Sequence, residues 1–191
     1  WWIETADLSG VRVDTWPYND RAFLSDFTRR VLTEYPNMSI VGEEWSMNPA
    51  TISYWQKGKQ NHDGYDSGAP QLMDFPLQQA IREAVNEEER WDKGLVKVYQ
   101  VLADDFLYPD PMGLMLIADN HDMTRLYPGV DENFDRYKMA MTFLATTRGI
   151  PQMLYGTELL MNAGPTGDHG RLRADFPGGW SGDRINAFKG E

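Results

Sequence analysis

GLMLIADNHD, residues 113 to 122, joins a nearly continuous apolar run to a cluster of polar and acidic side chains. An apolar run of this length predicts a strand that is covered on both faces, as the strands of parallel sheets are. Four similar β-type runs occur elsewhere, and segments with helical spacing separate them: SGVRVDT, SIVGEEW, QLMDFP and GIPQMLYGTE. Alternating strands and helices predict the α/β class, with parallel strands joined by right-handed crossovers.

The segments between these strands carry apolar residues three and four positions apart, which is typical of helices packed on a sheet. Asn19 or Asp20 is positioned to cap the first helix, and Pro36 follows its predicted end. The apolar positions are Phe23, Leu24, Phe27, Val31 and Leu32, then Leu77, Ala80, Ile81, Ala84 and Val85, then Leu95, Val98 and Leu102, and finally Phe134, Tyr137, Met141 and Leu144. The segment KGKQNHDGYDSGAP predicts a long loop.

Composition excludes several classes of function. The chain has 191 residues, of which 41% are hydrophobic and 13% aromatic, enough for a substantial core. Its 18 basic and 29 acidic residues give a net charge of −11 with no basic patch, so we expect no binding to nucleic acid or anionic membranes. No apolar run approaches the roughly 18 residues of a membrane span. The lack of cysteine excludes disulfides, thiolate nucleophiles and cysteine-bound zinc.

Arg12 and Asp14 are two positions apart on the first predicted strand, so their side chains point to the same face. We expect the arginine to keep Asp14 ionised by Coulomb attraction and hydrogen bonding, both of which lower the pKa of a carboxyl group. An ionised carboxylate at this position can act as a nucleophile. A structural ion pair explains the same spacing, and the position at a strand end favours the functional interpretation.

Acidic residues also follow two other strands. Glu43 and Glu44 come after SIVG, and only one of them can enter a shared cleft because adjacent strand positions face opposite ways. Glu43 has the parity of Val41, and one of the two glutamates is the candidate acid. The acids of DNHD follow GLMLIA, and the carboxyl ends of parallel strands meet at one rim. Two solvent-exposed glutamates are the alternative explanation of the first pair.

His121 lies between acidic residues, where it can serve as a hydrogen-bond donor or a metal ligand. The chain has only three histidines, at positions 62, 121 and 169, and none is paired at ligand spacing, so the sequence predicts no metal site. Trp16, Tyr18 and Trp45 follow the acidic strand ends and offer flat apolar faces to a ligand. Aromatic residues more often fill protein cores, which is the alternative for each of them.

Paired carboxylates at one rim fit glycoside hydrolysis, in which one carboxyl group attacks the sugar or activates water and another protonates the leaving oxygen. The segments GVRVD, VGEEW and DNHDMTR, in that order and each at a strand end, resemble three of the four short signatures of the alpha-amylase superfamily. The segments MDFPL, RGIPQMLYGTE and GDHGRLRADFPGGW resemble its neopullulanase and cyclomaltodextrinase-type members. The resemblance covers nearly the whole chain.

The resemblance implies a role for each matching residue. Asp14 would be the nucleophile, Glu43 the general acid and then base, and Asp122 the stabiliser of the transition state. Substrate binding is implied for Arg12, Tyr18, Trp45, Asn120, His121 and Arg125. The implied reaction is retaining hydrolysis of α-1,4 and also α-1,6 glucosidic bonds in maltodextrins, pullulan or cyclodextrins, through a covalent glycosyl-enzyme intermediate.

The resemblance also implies a partial (β/α)8 barrel, with the five strands as about the fourth to the eighth of the catalytic domain. A closed barrel usually needs about 250 residues, so residues 1–191 are expected to be the C-terminal portion of a glycoside hydrolase barrel. An earlier family signature, an aspartate four positions before Asn-His, has no match, since Lys57 precedes Asn61 at that spacing. Uncovered sheet edges predict a homo-oligomer.

The expected partner is an α-glucan oligosaccharide or polysaccharide, and no cofactor is expected to be required. A bound calcium ion is suggested only by the resemblance, because no residues of this segment support a calcium site. The sequence leaves the location open, with a periplasmic or extracellular one as the working assumption. The alternative function is a non-catalytic carbohydrate-binding or inactive fragment. The complete trio of acids, Asp14, Glu43 and Asp122, favours catalysis in a full-length parent enzyme, whereas the isolated fragment is expected to be inactive.

Overall fold

A computed structural model describes residues 1–164 and 168–190. Five parallel strands form a sheet in sequential order: β1 Gly10–Val13, β2 Ser39–Gly42, β3 Gln71–Met73, β4 Leu114–Ile117 and β5 Ile150–Gln152. Sequential order is that of a barrel wound in one direction, whereas a doubly wound sheet reverses its order at a switch point. The α/β class and all five strand positions are confirmed. Gly167, which opens the predicted loop GDHGRLRADFPGGW, lies outside the described residues.

Helices connect and flank the strands: α1 Trp2–Ala6, α2 Arg21–Glu34, α3 Pro49–Tyr54, α4 Phe75–Asn86, α5 Val96–Ala103, α6 Leu126–Gly129, α7 Phe134–Thr146 and α8 His169–Leu172. Short 3₁₀ turns lie at Trp16–Tyr18, Asp104–Leu107 and Pro111–Gly113. The four long helices were predicted from their spacing. The short helices were not, because four to six residues are too few to display a helical period.

Helix α2 shows which features the residue spacing predicts correctly and which it does not. Asp20 Oδ1 accepts the backbone N–H of Phe23 at 2.8 Å, so the predicted cap is confirmed, and the helix ends at Glu34 before Pro36. Leu24 is buried as expected. Phe23 is 60% exposed and stacks on Phe27 at the helix surface, so its prediction as a buried position was wrong.

The sheet has two chemically different faces because alternate residues of each strand point to opposite sides. One face packs against the helices through the buried side chains of Ile40, Leu72, Leu114 and Leu116. The opposite face carries Arg12, Val41, Met73 and Ile117. Three of these four pack together with Phe75, the first residue of α4. The charged Arg12 therefore extends from the face of the sheet that the helices leave uncovered.

A buried ion-pair network fixes the start of α4 on the sheet. Asp74 caps the helix by accepting the N–H of Leu77 at 3.0 Å, and Arg148 Nη1 contacts its second carboxylate oxygen at 2.5 Å. Arg148 also binds Asp105 with Nε at 2.9 Å from each oxygen. The network joins the end of β3 to the entry of β5 and so holds Phe75 in place.

The sheet is open at both sides in the part of the chain that the structure describes. Strand β1 pairs only with β2, and β5 only with β4. Ile150 on β5 is exposed. The predicted homo-oligomer depends on these unpaired edges, and it stays a prediction. Among residues 1–164 and 168–190, none of the helices has the length and apolar character needed to cross a bilayer.

Candidate active site

The three predicted acids lie at the carboxyl ends of strands. Asp14 follows β1, Glu43 follows β2, and Asp122 lies in the loop after β4. Because these strands are parallel members of one sheet, their carboxyl ends share one edge, where barrel enzymes carry their active sites. The structure therefore brings residues that are 29 and 79 positions apart in sequence to the same rim.

Arg12 joins two of these acids. Its Nη2 lies 3.1 Å from Asp14 Oδ1 and also donates a hydrogen bond to Glu43 Oε1. The pairing of Arg12 with Asp14 is the one that the strand spacing predicts. The contact with Glu43 follows from the register, which places Arg12 beside Val41 and so puts Glu43 on the same face as Asp14.

The two carboxyl groups have opposite environments. Glu43 is only 5% exposed, whereas the side chain of Asp14 is 67% exposed. Burial raises the pKa of Glu43, and the hydrogen bond that its protonated form donates to Asp14 raises it further. The same hydrogen bond, followed by the charge of Arg12, lowers the pKa of Asp14. Between these two pKa values, Asp14 is ionised while Glu43 carries the proton.

Thr15 completes this arrangement and was not found by sequence reasoning. Its backbone has φ 47, in the left-handed region that a β-branched residue rarely adopts, and its N–H donates to Glu43 Oε2 at 3.2 Å. The N–H of Trp16 donates to the carbonyl of Glu43 at 2.9 Å. The sharp turn after β1 thereby fixes both the backbone and the carboxylate of Glu43.

Glu44 is turned away from this group. It is buried, and burial raises its pKa, with a hydrogen bond from Trp55 acting in the opposite direction. The prediction that only one of the two adjacent glutamates faces the shared cleft is confirmed. Glu43 is the one that contacts Arg12.

The loop after β4 carries the second half of the site. His121 Nε2 lies 3.1 Å from Asp122 Oδ2. Arg173 Nη2 lies 2.5 Å from Asp122 Oδ1, and His169 Nδ1 lies 3.4 Å from the same oxygen. Arg173 also donates to the carbonyl of His121 at 3.3 Å. Sequence reasoning missed these contacts because Arg173 lies in a loop about 50 residues away, and residue spacing does not predict which distant loop returns to the site.

Asn120 and Arg125, for which the resemblance implies substrate binding, are both buried in this structure, and that role stays a prediction. Asn120 is 3% exposed and its Oδ1 accepts the N–H of Asp122 at 2.8 Å. Arg125 is 1% exposed; it hydrogen-bonds the carbonyl of Tyr155, and its Nε lies 3.5 Å from Asp119. Both side chains therefore contact other parts of the protein around the loop that carries His121 and Asp122.

Asp119 is the centre of these buried contacts. Its carboxylate accepts the N–H of Leu126 at 2.7 Å and lies 3.0 and 3.1 Å from the hydroxyl of Thr157. Burial raises its pKa in spite of the adjacent Arg125. The residue was noted only as part of an acidic cluster, since a loop position gives no parity from which to infer its direction.

The aromatic candidates divide into three cases. Trp16 is fully buried with its ring against Gly42, which agrees with the core-packing alternative and not with a role in stacking on a ligand. Tyr18 is 88% exposed beside the turn after β1. Trp45 is 44% exposed and stacks on Phe75 with ring centroids 4.6 Å apart. Tyr18 and Trp45 thus have faces available to a ligand.

Comparison with known families matches residues 1–175 to the alpha-amylase catalytic domain. The chain belongs to the alpha-amylase family. Neopullulanase 2 of Thermoactinomyces vulgaris is 30% identical over 167 residues, which cover 86% of this chain and 26% of that protein. Cyclomaltodextrin glucanotransferase of Niallia circulans is 26% identical over 176 residues, covering 92% and 23%. The chain spans about a quarter of the length of these curated relatives.

The alpha-amylase fold is also found by comparison of structures. An alpha-amylase from Geobacillus thermoleovorans, solved with acarbose, superposes with a TM-score of 0.73 at 33% identity, covering 92% of this chain and 38% of that one. The five-stranded sheet is therefore part of a (β/α)8 barrel, and its numbering as strands four to eight stays a prediction. Within residues 1–164 and 168–190, no group of three or more histidine, aspartate or glutamate side chains is arranged to hold a metal ion. The expectation that no cofactor is required stays a prediction.

Proposed function

We propose that the chain carries the catalytic residues of a retaining glycoside hydrolase that cleaves α-glucosidic bonds in maltodextrins, pullulan or cyclodextrins. The observation that carries this proposal is the contact of Arg12 with two carboxyl groups of opposite pKa shift. Pairs of carboxyl groups with separated pKa values are the arrangement that glycosidases use to divide the roles of acid and nucleophile.

In the proposed reaction, Asp14 attacks the anomeric carbon while Glu43 donates its proton to the leaving oxygen. The bond to the leaving sugar breaks, and a glycosyl ester forms on Asp14. Glu43, now ionised, takes a proton from water, which attacks the ester and releases the sugar with its α configuration retained. Both carboxyl groups contact one guanidinium nitrogen of Arg12, which favours the separation of about 5–5.5 Å of retaining enzymes over the about 6.5–9.5 Å of inverting ones.

His121 and Asp122 support the opposite side of the proposed sugar site. Asp122 would stabilise positive charge that develops on the ring, and His121 would donate to a sugar hydroxyl. Tyr18 and Trp45 are the exposed faces on which rings would stack. The proposal leaves two preferences to experiment: α-1,4 or α-1,6 bonds, and water or a second sugar as acceptor. Rates measured on a series of substrates will decide both.

A second candidate function is non-catalytic carbohydrate binding. The observation that favours it is that Asp122 is engaged by Arg173, His169 and His121, so neither carboxylate oxygen is free of a protein partner. A chain in which this state persisted would bind glucans without turnover.

The test is release of reducing sugar from maltooligosaccharides by the longest natural polypeptide that carries this chain. We expect hydrolysis with retention, read from the anomeric proton signals of the first product, and a loss on the order of 10³-fold or more in Asp14→Asn. Asp63→Asn, which alters an exposed ion pair of Arg21, is the matched control and should keep its rate. Inversion, or an Asp14→Asn rate close to that of the unmodified protein, would contradict the proposal.

A further inference from the structure

The turn after β1, residues 14–19, has a backbone conformation that the rest of the protein must hold in place. Thr15 has φ 47 and ψ 47, a left-handed conformation that a β-branched side chain disfavours. A backbone in such a sparsely populated region costs free energy and persists only where its surroundings fix it. The contacts that fix this turn therefore also keep its N–H groups on Glu43.

Packing fixes one side of the turn. Trp16 is fully buried, and its ring lies against Gly42, where an added Cβ would come within 2.8 Å of it. Gly42 directly precedes Glu43 in the chain. The indole nitrogen of Trp16 has no hydrogen-bond partner among the residues that the structure describes. This anchor is therefore apolar, and it leaves the orientation of the neighbouring peptide groups to other contacts.

Asn19 fixes those peptide groups. Its Nδ2 donates to the carbonyl oxygens of Thr15 and Trp16, at 3.1 Å in each case. Its backbone N–H also donates to the carbonyl of Trp16, at 3.3 Å. Both partners of the side chain are acceptors, so the bridge requires a side chain with donor hydrogens. One amide group thereby holds two consecutive carbonyl groups of the turn.

A single peptide group connects Asn19 to the backbone of Glu43. The carbonyl of Thr15 and the N–H of Trp16 belong to the same planar unit. The carbonyl accepts from Asn19, and the N–H donates to the carbonyl of Glu43 at 2.9 Å. Hydrogen bonds in such a chain polarise and strengthen one another. Loss of the Asn19 amide therefore weakens the contact with Glu43 as well.

The carboxyl group of Glu43 depends on the same turn. Oε1 accepts from Arg12, and Oε2 accepts the N–H of Thr15 at 3.2 Å. A carboxyl group that is held at both oxygens keeps one orientation, whereas one held at Oε1 alone can rotate about its last carbon–carbon bond. General acid catalysis requires the proton to lie within hydrogen-bond reach of the leaving oxygen, so this rotation would slow proton transfer.

We propose that Asn19 is a positioning residue for the acid–base step, because it keeps the turn after β1 in the conformation that orients the Glu43 carboxyl group. The inference rests on the proposed function and adds to it a residue that acts through Glu43. Asp14 follows β1 directly, and the pairing of β1 with β2 does not involve Asn19. Loss of the amide therefore impairs proton transfer and spares the attack by Asp14.

The test compares kcat/KM for maltotetraose and for α-maltotriosyl fluoride in the longest natural polypeptide that carries this chain. Both substrates carry a maltotriosyl unit, but fluoride leaves as an anion, so the glycosyl ester on Asp14 forms without a proton from Glu43. We expect Asn19→Ala to lower kcat/KM for maltotetraose roughly tenfold and to leave the fluoride within about twofold. Asn19→Ser keeps one donor and should lose about threefold on maltotetraose. It replaces Asn19→Ala as the test variant if Asn19→Ala lacks a cooperative unfolding transition.

Asn61→Ala is the matched control. Asn61 Nδ2 donates to the carbonyls of Tyr54 and Tyr65 at 2.7 and 2.9 Å, so it bridges two carbonyl groups as Asn19 does, but in the loop between α3 and β3. Its loss should leave the ratio of the two kcat/KM values unchanged. Equal losses on both substrates in Asn19→Ala, or no loss on maltotetraose, would overturn the positioning role and leave the hydrolase function intact.

If the unmodified protein cleaves neither substrate, the hydrolase function fails, and the pKa of Glu43 decides whether Asn19 orients its carboxyl group. Burial raises this pKa, and the N–H of Thr15 opposes the rise. Asn19→Ala should therefore move the pKa of Glu43 upward in a carbon-13 NMR titration of the carboxyl group, whereas Asn61→Ala should leave it in place. An unchanged pKa in Asn19→Ala would overturn the proposal.

Discussion

Arg12 and Arg125 each lie against acidic residues, but Arg12 lies on the open rim of the sheet and Arg125 lies beneath it. Arg12 contacts one exposed and one buried carboxyl group, Asp14 and Glu43. Arg125 is buried with Asp119, which is itself almost fully buried. Among the described residues, Nη1 of Arg125 has no hydrogen-bond partner.

The difference shows that an arginine and a carboxylate can serve two purposes near one site. Where one carboxyl group is exposed to solvent and the other is buried, burial and the hydrogen bond between them separate their pKa values, as acid–base chemistry requires, and the shared arginine lowers both. Where both charges are buried, their attraction mainly offsets the cost of removing them from water, and the pair holds the loop after β4 in place. Asp119 and Arg125 thus support the loop that carries His121 and Asp122.

The largest effect is expected from removing the buried partner. Asp119→Ala leaves Arg125 as an uncompensated buried charge, which should lower the free energy of unfolding by about 3–5 kcal/mol. Urea denaturation measures it. Asp26→Ala, which removes an exposed partner of Arg29 and Arg30, should change it by about 0–1 kcal/mol. Equal losses in the free energy of unfolding at the two sites would contradict the contrast between buried and exposed ion pairs.

A smaller effect, in pH dependence, is expected on the rim. Arg12 lowers the pKa of both Asp14 and Glu43, so Arg12→Met should raise both. The acid limb of kcat/KM requires ionised Asp14 and the alkaline limb requires protonated Glu43, so both limbs should move to higher pH. Arg21→Met, which removes the partner of Asp63, should leave the profile in place. A profile that Arg12→Met fails to move would refute the assignment of the two limbs.

The smallest effect is expected at a third arginine. Arg173 is half-exposed and binds Asp122, so a sugar must compete with it for that carboxylate. Exposed ion pairs contribute only about 0–1 kcal/mol, and Arg173→Met should therefore lower KM by no more than about fivefold. Arg171→Met is the control, because Arg171 lies on α8, just before Arg173, and contacts only Asp168 among the described residues. A rise in KM would show instead that Arg173 assists binding.

The rim pair was predictable and the buried pair was not, for a physical reason. Residues two apart on a strand share a face, so the spacing of Arg12 and Asp14, and the parity of Glu43 with Val41, define the directions of these side chains through local geometry alone. Arg125 follows the end of a strand, where no such rule applies. The resemblance to the family implies that Arg125 and Asn120 bind substrate, whereas the structure shows only that both are buried.

The sequence by itself determined the order of the strands and helices, the acidic strand ends and the family resemblance, because these depend on local periodicity and on short motifs. Only the tertiary structure decided which groups touch: Arg12 with Glu43, Thr15 with Glu43, Arg173 with Asp122, and Trp16 over Gly42. These contacts depend on strand register and on loops that return from distant parts of the chain. Burial, and with it the opposite pKa shifts of Asp14 and Glu43, is a property of that assembly and not of any segment.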